Sequence, residues 1–435
     1  MIQNQADNWL KKGMSMKIVN VFGREIYNSR GYPTLECIIE LDNGEQVSAS
    51  VPSGTSESHF SAKALYDGGD RLFGMGVHKA IEKLENEIAP LLIGSKPELV
   101  ELDLRILEKD GTDDKSNLGS NTILAASTAI LKAQAVASEI EPYEMVACLC
   151  EMESVSLPYP MFNVINGGVH AHNALHVQEF MIMPVGAESF RAAMEIAVMT
   201  FHTLRTLLQK KHTVVAVGDE GGYAIDIAHE EEAFDFLMQA LQIIKPMIDG
   251  DIVIALDIAS SQLYNTQNKT YNWHGKELTA EEMIALYTKW TMDYPIYSIE
   301  DGLADTDWNN WSLLYKALGE KIQVVGDDIF ATNPQRIAQG IEQGIANATI
   351  IKPNQVGTIT ETLQSIKLCK EYGINTIVSH RSGETNDTLI VDLAVGTSAG
   401  QIKAGGPCRG ERIAKYNQLL RIEDSLMLSL LSNLE

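Results

Sequence analysis

From residue 251 onward the chain alternates short apolar runs with longer amphipathic stretches, and each run closes on a polar or charged residue. IVIALD ends at Asp257, IYSIE at Glu300, IQVVGD at Asp327, TIIK at Lys352, NTIVSH at His380 and GQIK at Lys403. Runs this short and this apolar suit strands buried on both faces. The closing residues are 43, 27, 25, 28 and 23 positions apart, and a parallel strand with its crossover helix takes about 25 to 30 residues. Helical periodicity fills the gaps near 280–290, 308–318, 334–343, 358–372, 386–395 and 410–430. The rhythm predicts a (β/α) barrel whose strand ends share one mouth.

The first part of the chain follows a different pattern. KIVNVFGREIY, TLECIIELDNG and EQVSASVP read as three strands, with Asp42-Asn43-Gly44 as a hairpin turn. Helical spacing then takes over at 77–92, 98–109 and 121–138, and strands followed by helices predict an α+β domain. Two prolines mark a break at 154–160. Beyond it, MFNVIN and EFMIMP read as strands and 188–211 and 229–246 as helices, so the barrel is expected to open irregularly, with two strands and then two helices. The expected division is an extension over 1–16, an α+β domain over 17–154 and a barrel over 155–435.

Composition narrows the functions. A formal charge of −24 over 435 residues argues against a nucleic-acid surface, which needs concentrated Lys and Arg. Any phosphorylated substrate must then meet local cations or metal. The five cysteines are thinly spread and lack metal-finger spacing, which fits a reducing cytosol. No membrane span or signal peptide is expected, and the location expected is cytoplasmic.

Asp257, Glu300 and Asp327 are hard oxygen donors of the kind Mg²⁺ takes. One such acid alone is more simply a helix cap; three on successive units point to a metal. Asp301 and Asp328 stand beside two of them, so each ligand there is a pair until further evidence separates it. Lys352 and Lys403 close apolar strands, where a buried ammonium must be paired or used, and a nearby metal would lower its pKa toward that of a working base. A structural ion pair with the carboxylates is the simpler alternative. Glu220 lies between glycines in GDEGG and becomes a candidate acid beside a metal. His380-Arg381-Ser382 offers donors for a phosphate or carboxylate. His170 and His172 lie in a glycine-bearing loop, and Gln178-Glu179 opens the next run. Together these groups suit removal of a proton from carbon next to a carboxylate, where the enediolate needs cationic stabilisation.

In their joint order, SRGYPT, INGGVHAHN, QEFMIMPVGA, VGDEGG, ALDIASS, SIEDGL, VGDDIFATN, IIKPNQVGTITET, SHRSGET, GQIK and AKYNQLLRIE resemble the enolase family over residues 17–423. The resemblance implies a ββαα(βα)₆ barrel capped by the N-terminal α+β domain. It also implies the glycolytic dehydration of 2-phosphoglycerate to phosphoenolpyruvate with two Mg²⁺ ions, the second arriving with substrate. By position Asp257, Glu300 and Asp327 would hold the first ion. Lys352 would be the base, Glu220 the acid and Glu179 its support. Lys403 would bind the substrate carboxylate, Arg381 and Ser382 the phosphate, and Gln178 and His170 would line the pocket with His380 nearby. A homodimer or homo-octamer is implied by family alone, as is secretion or surface display.

The resemblance is imperfect at one functional loop. Enolases carry Ser-Gly-Ala-Ser-Thr-Gly, and this chain carries Ser53-Gly54-Thr55-Ser56-Glu57-Ser58. Ser56 keeps the implied ligand for the second ion. A glycine is lost and a carboxylate gained, which predicts a stiffer loop and weaker binding of substrate or second metal. Asn28, Tyr32 and Ile225 also depart from the family pattern. Two alternatives follow: a catalytically impaired paralogue kept for binding, favoured by the altered loop, and another superfamily enzyme, which would typically carry a Lys-x-Lys base that is not found here.

Overall fold

The computed structural model describes residues 16–54, 58, 60–171, 173–211 and 214–432. β1 (Ile18–Tyr27), β2 (Pro33–Leu41) and β3 (Gln46–Ser50) form an antiparallel meander. Alternate residues of β2, namely Leu35, Cys37, Ile39 and Leu41, are fully buried. Three helices follow, α1 (Leu99–Asp110), α2 (Ser120–Ala137) and α3 (Pro142–Leu149). The alanine-rich α2 is buried along most of its length and packs on β2 and β3; small side chains permit that close approach. The stretch 77–92 is not one regular helix. His78–Lys83 and Ala89–Leu92 are α-helical, with a wider π-type turn over Leu84–Ile88 between them. Pro90 has no N–H for the carbonyl of Asn86, and the turn before it opens.

The barrel begins with β4 (Tyr159–Asn166) and β5 (Glu179–Met183), then α4 (Phe190–Lys211) and α5 (Glu230–Ile244). It continues through β6 (Val253–Asp257), α6 (Ala280–Asp293), β7 (Ile296–Glu300), α7 (Trp308–Leu318), β8 (Gln323–Gly326) and α8 (Pro334–Gln343). β9 (Ala348–Ile351), α9 (Ile359–Glu371), β10 (Asn375–Ser379), α10 (Leu389–Gly396), β11 (Gly400–Lys403) and α11 (Gly410–Ser432) complete it. Pairing of β11 with β4 closes a ring of eight described strands. β5 runs antiparallel to both neighbours and the other pairs in the ring are parallel. The expected opening of two strands and two helices is observed. The long step between Asp257 and Glu300 holds a small three-stranded sheet over residues 264–278.

The barrel interior is a compact apolar plug of Met161, Met181, Met183, Ala255, Val325, Ala348, Ile350 and Ile377, separate from the larger core between strands and helices. All five cysteines are unpaired thiols. Among the described residues no single helix is long and apolar enough to cross a membrane.

Candidate active site

Strand direction gathers the site. Parallel strands deliver their last residues to the mouth, so Asp257 and Glu300 stand next to each other in register. β5 runs the other way and delivers its first residue instead, placing Glu179 opposite Asp257. Three adjacent carboxylates would repel in a low-dielectric setting. Lys403 compensates them: its Nζ lies 2.8 Å from Asp257 Oδ2, 2.8 Å from Glu300 Oε2 and 3.1 Å from Glu179 Oε1. Burial would push this ammonium down, but Asp257, Glu179 and Glu300 hold it well above the usual lysine range. Gln178 Nε2 also donates to Asp257 Oδ2 at 3.4 Å.

Asp327 and Lys352 follow the last residues of β8 and β9, and Lys352 Nζ pairs with Asp327 Oδ2. In the protein by itself burial pulls Lys352 down, but the Asp327 and Glu300 charges together leave it raised. The lowered pKa expected of a base therefore requires that Asp327 be engaged elsewhere. Gln355 Nε2 donates to Asp327 Oδ1 at 3.2 Å. Asp301 fixes the turn behind it, accepting the backbone N–H groups of Asp327 and Asp328 at 2.9 and 3.1 Å.

Glu220 sits in a turn closed by a hydrogen bond from Gly218 N–H to the Gly222 carbonyl. Its Oε2 lies 3.5 Å from His170 Nδ1 and 3.4 Å from His380 Nε2. Asn163 Nδ2, projecting from β4, donates to Glu179 Oε2 at 3.1 Å and to Glu220 Oε2 at 3.5 Å. The two carboxyls are driven apart. Burial and the Glu220 charge push Glu179 well above the carboxylate range. Burial acts the same way on Glu220, yet His170 and His380 hold it well below.

One cavity is lined by His170, Gln178, Glu179, Glu220, Asp257, Asp327, Lys352, Arg381, Ser382 and Lys403. Of the residues singled out from sequence, Glu300 lies just behind Lys403, and His380 also borders the cavity. Ser56 and His172 lie outside the described residues. A family model described as enolase, N-terminal domain, matches residues 18–146, and one described as enolase, C-terminal TIM barrel domain, matches residues 154–430. The chain belongs to the enolase family.

The donor set fits a divalent cation. Glu300 Oε1 is buried and has no hydrogen-bond partner among the described residues, and Asp257 and Asp327 present further hard oxygens to the same mouth. Two other groups are tighter, with ligand atoms within 4.8 Å of one another: Asp301, Asp327 and Asp328, and His170, Glu179 and Glu220. The first spends both Asp301 oxygens on backbone N–H groups. In the second, Lys403 already holds Glu179. Lys403 likewise holds Asp257 and Glu300 of the strand-end set, which offers the unpartnered Glu300 Oε1 as a further donor for a divalent cation. At the rim, Arg381 Nη1 donates to Asn354 Oδ1 at 3.3 Å and its backbone N–H to Glu384. A Cβ on Gly54 would stand 1.8 Å from Arg381 Nη2, so a larger residue there would displace this guanidinium. Sequence reasoning passed over Asn163 and Gln355 and treated Asp301 only as an alternative ligand. Asn163 had a signal, as a polar residue inside the apolar run MFNVIN.

Proposed function

We propose that this member of the family is a phosphopyruvate hydratase, converting 2-phospho-D-glycerate to phosphoenolpyruvate and water, with Mg²⁺ as the divalent ion. The reading is carried by one observation: Lys352 and the Glu179–Glu220 pair face each other across one cavity. Lys352 follows β9 and Glu179 opens β5, four strands apart in a ring of eight.

Asp257, Glu300 and Asp327 would hold the ion, which supplies positive charge to the substrate carboxylate as the enediolate forms. Lys352, as the neutral amine, takes the C2 proton. Lys403 adds a fixed positive charge on the opposite side of the carboxylate. The C3–O bond then breaks, and the departing hydroxide takes a proton from the Glu179–Glu220 pair to leave as water. Arg381 and Ser382 grip the phosphate and keep C3 aligned with Glu220. The test is formation of phosphoenolpyruvate from 2-phosphoglycerate with and without Mg²⁺. Turnover that needs Mg²⁺ and falls by at least about a thousandfold in Lys352→Ala is expected. An intact protein inert toward 2-phosphoglycerate with Mg²⁺ present overturns the reading and favours the binding paralogue that the altered loop suggests.

A further inference from the structure

Arg412, in the first turn of α11, is fully buried although its charge is permanent. Its nearest carboxylate atom is Glu411 Oε1, 3.4 Å from Nε. The rest of the guanidinium is spent on the active-site wall. Nη1 donates to His380 Nδ1 and to the Arg381 carbonyl, each at 2.6 Å. Nη2 donates to the carbonyls of Ser382 at 2.7 Å and Asp219 at 3.1 Å. The backbone has been left bare for it: a Cβ at Gly405, where φ is +90°, would press to 2.7 Å from Arg412 Cδ.

A guanidinium can only donate. His380 Nδ1 must therefore be the accepting nitrogen, and the single proton of the neutral ring must sit on Nε2. That Nε2 is buried, faces Glu220 Oε2 at 3.4 Å and has no aligned acceptor among the described residues. Burial in the first place, with the Arg412 charge assisting, keeps the ring neutral by pushing its pKa down to about 4 against the pull of Glu220.

We propose that Arg412 is a positioning residue that fixes His380 as the Nε2–H tautomer, aims this N–H beside Glu220, and locks the Glu220 turn to the Arg381–Ser382 grip. Its kinetic consequence rests on the dehydration reading above, whereas the tautomer rests on geometry alone. A simple structural strut would affect stability and leave the tautomer and the pH profile of kcat unchanged.

The experiment is nitrogen NMR of full-length protein labelled at histidine, near neutral pH, with His380→Gln used for assignment. The unaltered protein is expected to show His380 with Nε2 protonated and Nδ1 bare. Arg412→Met should mix the tautomers, lower kcat by about 10- to 100-fold with KM changed by less than about threefold, and shift the pH profile of kcat. Arg412→Lys should recover part of kcat. In the His380→Gln background, which keeps a donor at the Nε2 position, Arg412→Met should cost much less. A protonated Nδ1 in the unaltered protein overturns the proposal, and needs no variant to fold. So does a folded Arg412→Met protein with unchanged kcat. If the unaltered protein shows the expected tautomer but no turnover, the dehydration reading fails and the positioning role of Arg412 stands.

Discussion

Lys403 is what allows Glu179, Asp257 and Glu300 to stand side by side, because one ammonium at 2.8 to 3.1 Å serves all three. Removing one partner of a buried ionic cluster leaves the others uncompensated and costs about 3–5 kcal/mol. Lys403→Met should therefore lower the melting temperature sharply in chelator. Millimolar Mg²⁺ should restore more of it than it adds to the unaltered protein, since a cation held by the folded state alone stabilises it. Equal Mg²⁺ shifts in both proteins would count against a cation site among these oxygens. Asp257, Glu300, Asp327, Lys352 and Lys403 were legible in the sequence because each ends or follows an apolar run, and the strand ladder turns that pattern into position. Asn163, Gln355 and Arg412 were not. Their partners lie 16 to 57, 28 and 30 to 193 residues away, so only the folded ring reveals the pairing. The opposite shifts of Glu179 and Glu220 were equally hidden, as they depend in part on two histidines arriving from different loops.

At the scale of elements, the strands and most helices follow from apolar periodicity, since period and buried face are the same physical fact. The missed helix α3 starts from a capping box in which Glu141 and Glu144 bond each other's backbone N–H, with Pro142 at its first position. Glu-Pro-Tyr-Glu was a readable signal. The reversed direction of β5 was not readable, because a short strand carries no mark of its neighbour's polarity. α1 contributes to the packing of the two domains: its Asp103 Oδ2 accepts from Ser127 Oγ on α2 at 2.9 Å and from Thr360 N and Oγ1 on α9 at 3.1 and 2.6 Å. Its Oδ1 is buried without a partner among the described residues. Burial pushes this carboxyl up to about 6, against the opposing effect of those hydrogen bonds. A folded-state pKa above the unfolded 3.8 means that the contribution is complete below about pH 4 and is lost as pH rises through 6. About 3 kcal/mol is at stake by pH 8. Asp103→Asn should flatten the fall in denaturant midpoint between pH 5 and pH 8. An unchanged slope would show that another group is responsible.

At the scale of the whole molecule, the segment 53–60 of the N-terminal domain is tied to the barrel at both of its described ends. Its leading end is tied by reciprocal backbone hydrogen bonds between Ser53 and Gly383, both 2.8 Å. Its trailing end is tied by Ser58 Oγ, which donates to the Asp328 carbonyl at 3.0 Å, and by the Phe60 ring, which stacks under the Arg336 guanidinium at 3.3 Å. The hydroxyl of Ser58 stands at the last position of the Ser-Gly-Ala-Ser-Thr-Gly pattern, where a glycine would supply no such tether. A hydrogen bond of about 1 kcal/mol biases a closing equilibrium by about fivefold. Ser58→Gly should release that bias, and Glu57→Thr should remove a negative charge from the loop that would meet an anionic substrate. The double variant is expected to lower KM for 2-phosphoglycerate, or the Mg²⁺ concentration giving half-maximal rate, by at least that factor. If both stay within twofold of the unaltered protein, the trailing tether does not restrain the loop. Its closing would then be limited by the Ser53–Gly383 end, where Gly54 crosses Arg381.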